Sequence, residues 1–577
     1  MYKEIFTENN LEVKFMKKKI ACLILACLLV MTTSLVAACT RQKIDDVDSS
    51  KSTLWVNYFA GGFGKEWMES LEKRFEAAYA DYSFEEGKKG VDIRLNPNKE
   101  LGSAYLTKVD DIRDEVFFNE NVDYYAWVKQ GKVLDITDIV ETSNSNDGGK
   151  SIASKMTDAE NNYYKVDGKY YALPHHEHQT GLIYDVDLFE SEELYFAEGG
   201  APSEDYASDK ANHKSYSGSY AYTGTGDKSA GPDGVHGTSD DGLPATYEEF
   251  FVLCDYMASK DSEIDITPFI WSGKNRADYT DWFLSEMAAN YEGADQLSLN
   301  YTFSGTATNL ISVDSTGKIV ELDDTEINSD NGYMVYQSAG RYYALNFFKR
   351  LLAGSGKYFQ VDDCFGSLEH TEAQYKYLVG ATKTGNTRYA FLMDGCWWEN
   401  EATDSFNSIV DRNGNEYSKT SRRFAFLSLP KATNEQIGDP FTIATTDVTL
   451  GFIKRSIDPS KIELAKTFLQ FCYTDESLID FNNVSGTPAA IDYTLSKAQY
   501  NALSSFGKSL YNVKDQVVAP YSTNTKFLNN NTKLNLRYTF TVGGKRAVET
   551  LRSDTMTAES FFKSLYTERG ESFWKSL

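Results

Sequence analysis

Three stretches concentrate residue types that do chemistry. The first runs from Pro174 through His175, His176, Glu177, His178 and Gln179 to Thr180. Alternation along a strand would put His176 and His178 on one face, and two imidazoles so placed suit a zinc ion. The HExxH arrangement of a zinc hydrolase is missing, because Thr180 stands where the second histidine belongs. The second stretch is Asp394-Gly395-Cys396-Trp397-Trp398-Glu399. Adjacent tryptophans between acids read either as core or as flat apolar surface offered to a ligand. The third is the glycine-rich run 227–241, with Asp227, Asp233, Asp240 and Asp241. Calcium takes several hard oxygens, and glycine lets backbone carbonyls turn inward, so a structural calcium is one reading; a solvated acidic turn is the other. The spacing does not follow the EF-hand loop.

Patterns that would name an enzyme are missing from the sequence. It holds no GxSxG, no Walker run and no GxGxxG. With 84 Asp and Glu, sequence alone leaves open a carboxylate pair of the kind glycoside hydrolases use. The balance against 58 Lys and Arg is −26, which argues against nucleic acid as a partner. Hydrophobic residues are 41% and charged residues 25% of the 577, a globular composition rather than a disordered one. At roughly 100–200 residues per domain, the length predicts two to four compact units.

The elements that must position these residues start with Thr53–Phe59, rich in strand formers and ending at Gly61-Gly62. Lys65–Ala80 follows with Trp67, Leu71, Phe75 and Ala78 at helical spacing, and Val91–Leu95 alternates like a strand. Strand, helix and strand in that order predict α/β layering, and the turn after such a first strand is where open α/β sheets place ligands. Tyr170–Tyr184 reads as two extended segments flanking a polar centre. Residues 341–352 and 462–472 read as helices, and Asp447–Ile453 as a strand. Residues 192–245, rich in Gly, Ser, Asp and Tyr, read as an insertion. No internal repeat is visible, which argues against solenoids and repeat-built surface proteins.

The N-terminus predicts export. Lys17, Lys18 and Lys19 precede the apolar run Ile20–Val30, and small residues lead to Leu35-Val36-Ala37-Ala38-Cys39. That ending resembles the lipobox of bacterial lipoproteins, which implies cleavage after residue 38 and acylation of Cys39. Residues 1–38 are then the signal peptide and 39–52 a lipidated tether. Losing five lysines and three glutamates takes the net charge from −26 to −28, so the acyl chain and not anionic lipid must supply attachment to the membrane. Four cysteines remain, Cys254, Cys364, Cys396 and Cys472, without a CxxC. They read as buried thiols, with one long-range disulfide as the alternative.

Four pieces in this order resemble extracellular carbohydrate-binding lipoproteins of ABC import systems. They are LWVNYFAGGFGKEWMESLEKRFEAAY, GKYYALPHHEHQTGLIYDVDLFE, FLMDGCWWENEA, and DVTLGFIKRSIDPSKIELAKTFLQFCYTDESLIDF followed by GTPA. The resemblance implies a type II periplasmic-binding-protein-like α/β fold, two lobes joined by a hinge with a ligand cleft between them. The first lobe would be 53–174 with 446–487. The second would be 175–445 with 488–577, carrying the 192–245 insertion. It further implies that Trp397 stacks on a sugar and that His178 reaches the cleft. Asp394, Glu399, His176 and Gln179 would supply polar contacts, with Trp398 as a second ring. Asn57, Tyr58 and Phe63 would face the cleft from the first lobe, and Trp271 and Arg276 would line its wall, with Trp282 either there or in helix core. Aromatic rings cover a pyranose's C–H faces while polar groups satisfy its hydroxyl rim. The implied protein is a monomeric receptor with no catalytic cofactor, handing a carbohydrate to permease subunits of an ABC transporter. The rival from another class is a surface-anchored glycoside hydrolase.

Overall fold

The computed structural model describes residues 47–192, 194–196, 228–259, 265–353, 356–382 and 387–577. The signal segment, Cys39, Asp227 and most of the 192–245 stretch lie outside the described residues. Strand β1 (Ser52–Phe59) leads through a glycine turn into helix α1 (Glu66–Ala78). Glu66 and Glu69 sit in the first turn of α1, where the positive end of the helix dipole favours acids. Trp67, Met68, Leu71 and Phe75 form its buried face. Strands β2 (Val91–Asn98) and β3 (Val116–Asn119) pair with β1 in parallel, so their carboxyl ends point the same way.

The next strand organises the molecule. β4 (Leu173–Asp185) is thirteen residues long and buried throughout. The sequence reading had two extended segments flanking a polar centre; the structure has one unbroken strand. Its first half pairs with β8 (Ile443–Ile453), and its second half pairs with β6 (Thr387–Gly395) and with β7 (Phe424–Phe426). β5 (Asp265–Ile270) closes the far edge, giving the order β2-β1-β3-β8-β4-β6-β5. β8 also spans the junction, reaching β3 at one end and β9 (Val517–Val518) at the other. Two long strands therefore run from one α/β half into the other, and the polar centre of β4 lies where they cross.

Two apolar clusters fill the molecule, and the first continues from one half into the other through Trp398, Phe424 and Phe506. One gathers β1, α1, β3 and helices α4 (Ile462–Cys472) and α5 (Asp475–Ser485), with Trp67, Phe118, Phe468 and Phe481 inside. The other surrounds the long helix α2 (Arg276–Thr302) and α3 (Ala339–Leu352), which is joined by the C-terminal helices. Leu194, Tyr195, Phe196 and Leu243 are buried in that second core, so both ends of the 192–245 stretch are anchored. All four body cysteines are free and buried, which removes the disulfide alternative. Among the described residues no helix is long and apolar enough to cross a membrane.

Candidate functional site

The crossing of β4 and β8 is where polar and aromatic groups converge. His176 and His178 lie on neighbouring steps of β4 with rings parallel to within 7° and centroids 5.5 Å apart. Phe63, in the turn after β1, sits 4.4 Å from His176 and 4.9 Å from His178. From the other half comes Trp397, 6.0 Å from His178, 6.1 Å from Phe63 and 5.8 Å from Trp282 of α2. A Cβ built on Gly62 would stand 2.5 Å from the Trp397 ring, so only glycine allows this approach. The Asn400 amide donates to the Gly62 carbonyl at 3.1 Å and ties the same two segments together.

His178 is held at both nitrogens: Nε2 is 3.0 Å from the Thr449 hydroxyl, and Nδ1 is 3.3 Å from Glu120. Burial lowers the His178 pKa to about 4, against the opposite pull of Asp447. Burial and the Asp447 charge push the Glu120 carboxyl well up, with Arg537 opposing. Both shifts favour the uncharged forms, an imidazole beside a carboxylic acid.

Next to this pair, the two halves enclose a cavity of about 320 Å³. The first half lines it with residues 121–127, Tyr163 and Tyr164, strand β8 with 445–448, and the C-terminal segment with Tyr521, Arg537 and Tyr538. Asp447 accepts from the Asn121 N–H at 3.1 Å and the Val448 N–H at 2.8 Å, and its other oxygen lies 3.8 Å from Arg537. The Arg537 guanidinium lies 4.4 Å from the centroid of the Tyr538 ring and donates to the Thr446 carbonyl at 2.5 Å. Its Nε–H is buried and has no partner among the described residues. The Gln179 Oε1 is buried and unpartnered as well.

The structure brings together Phe63, His176, His178 and Trp397 of the residues singled out above, with Trp282 beside them. Others it takes elsewhere. Asn57 is buried within the sheet, giving its amide to Tyr105 and Asp114 and accepting from Asn98 and Asn119. Tyr58 packs on Trp67 in the first core. Trp271 donates to the Cys364 carbonyl and stacks near Phe359. Arg276 pairs with Glu549 at 2.8 Å. Trp398 has no exposed surface and is enclosed by Tyr377, Phe424 and Phe506, because the chain turns into a helix there and sends successive side chains in different directions. Glu399 is buried against Ser504 and Lys419. Asp394 is buried under the loop, bound by Gln374 and the Gly395 N–H, and burial with the Glu401 charge raises its pKa to about 7.

The acidic loop closes on itself. Asp233 accepts from Val235 N, Asp240 from Asp233 N and Thr238, and Asp241 from Gly237 N. Among the described residues no group of three or more His, Cys, Asp or Glu is placed to hold a metal ion. Asp227 lies outside them.

Sequence reasoning missed Glu120, Asn121, Asp447, Arg537 and the tyrosines of the cavity. Glu120 and Asn121 directly follow β3, and the carboxyl ends of parallel strands are where open α/β sheets collect ligand groups. Arg537 carries no local signal; it is brought in from a different part of the chain.

No protein-family model matches the chain, and no curated protein sequence matches it. Solved structures do match. A chitin oligosaccharide binding protein superposes with a TM-score of 0.50 at 14% identity, over 91% of this chain and 100% of that one. A structure from work on xylan utilization by the thermophilic bacterium Caldanaerobius polysaccharolyticus gives 0.51 at 14% identity, over 89% and 99%. The chain thus has the two-lobe periplasmic-binding-protein fold, two α/β halves hinged at crossing strands with a cleft between them.

Proposed function

We propose that this protein is a receptor that binds a carbohydrate between its two lobes without altering it. The observation that carries the reading is the cavity at the lobe junction, lined by Tyr125, Tyr163, Tyr521 and Tyr538 together with Asn121, Asp447 and Arg537. Rings suit the C–H faces of a pyranose, and polar groups suit its hydroxyls. The fold relatives named as a chitin oligosaccharide binding protein and as part of xylan utilization are consistent with this reading. In it, 53–174 with 446–487 form one lobe and 175–445 with 488–577 the other, and ligand favours the closed arrangement by touching both. Acylated Cys39 tethers the protein outside the bacterial membrane, where it passes the sugar to permease subunits.

The test is a thermal-shift screen over mono- and oligosaccharides, followed by calorimetry and product analysis. A ligand in hundredfold excess over its Kd stabilises by about 2.7 kcal/mol, which is readily seen. Binding with unchanged sugar supports the receptor. Shorter sugars in the product analysis would transfer the assignment to a hydrolase.

A further inference from the structure

Asp447 sits at an irregular point of β8, where the pairing with β4 shifts register between Thr445 and Asp447. The shift turns its carboxylate into the cavity, and the Asn121 and Val448 N–H groups fix it there. Asp123 also lines the cavity, while Arg537 is the one cation among its described lining residues. Two acids thus share the lining with one guanidinium, and that guanidinium lies 3.8 Å from Asp447. A ligand hydroxyl fits this arrangement, since it can donate to the Asp447 carboxylate. A ligand carboxylate can only accept, and it brings a second negative charge against Asp447 in a partly desolvated space. The chain as a whole carries −26 and repels anions before they arrive.

We propose that the cavity selects uncharged glycans over uronate-bearing or otherwise anionic ones, and that Asp447 sets the selection. This rests on the carbohydrate reading and adds the charge class of the ligand. The experiment takes the neutral oligosaccharide that gives the largest melting shift and the same oligosaccharide oxidised at one C6 to the carboxylate. Calorimetry at pH 7 should give the neutral form at least a tenfold tighter Kd. The ratio should shrink as salt rises, which a mere loss of a hydroxyl contact would not produce. Asp447→Asn should narrow the ratio tenfold or more, and Arg537→Gln should widen it, so the argument survives failure of either variant to fold. Equal or tighter binding of the oxidised form by the unsubstituted protein overturns the proposal while leaving the receptor reading intact. A ratio unmoved by salt and by both variants overturns it too. Absence of binding by every glycan overturns the receptor reading, and this proposal with it.

Discussion

On the Trp397 side of the crossing strands, rings from the two halves already touch; on the Arg537 side, the halves enclose about 320 Å³ of space. In the first region Phe63, the histidine rings and Trp397 lie against one another and the Gly62 turn fits against the indole, which keeps part of its surface exposed. The second leaves a guanidinium N–H without a partner and fixes carboxylate and amide groups around a gap. An apolar contact costs nothing when no ligand is present, whereas an unsatisfied buried donor does. The contrast suggests that closure is favoured at one end by ring packing and completed at the other by the ligand's hydroxyls.

Four measurements break or sharpen that contrast. The largest effect is expected at neither region but just behind one of them. Trp398→Ala should destabilise the ligand-free protein by about 3–5 kcal/mol in urea titration, because it empties a fully enclosed core site. Trp397→Ala should weaken glycan binding by about 2–3 kcal/mol while costing the ligand-free protein less than about 1 kcal/mol. If the two neighbours behave alike, the distinction between core and cleft surface is lost. Arg537→Gln should weaken binding by about 1.5–2.5 kcal/mol, since it removes the one cation among the described residues that line the cavity. Unchanged calorimetry would mean that the cavity does not hold the sugar.

The smallest effect concerns pH. His178 has a pKa of about 4 folded against an ordinary 6.5, so the unfolded chain takes up the proton first. Stability from this group is complete above pH 6.5 and is lost as pH falls toward 4. Glu120 acts with opposite sign, because its raised folded pKa makes stability fall as pH rises through that value. His175 and His176 titrate low for the same reason of burial, so they share the acid side. His178→Asn should therefore reduce the acid loss of stability between pH 6.5 and 4. Urea midpoints at several pH values decide this, and an unchanged acid slope would show that His178 is not buried neutral.

The sequence made α1, α4 and the early strands legible because each is marked locally. Helix 462–472 was read with its observed limits, since an amphipathic period needs no tertiary knowledge. β4 was only half legible: its His-rich centre looked like a break between two segments, and strand propensity does not anticipate a strand whose two halves pair with different partners. Asn57 and Tyr58 looked like cleft residues because they end the first strand, yet the sheet network and the first core claim them.

By itself the sequence determined the order of α/β elements. It also placed Phe63, His178 and Trp397 together in expectation. Hydrophobic periodicity and short motifs act over a few residues, so they can be read without a fold. Only the tertiary structure separated Trp397 from Trp398, drew Glu120 and Asp447 to His178, and set Arg537 against residues 90 positions away. Those outcomes depend on which strands cross and which side chains then share a buried space, and no local spacing records that.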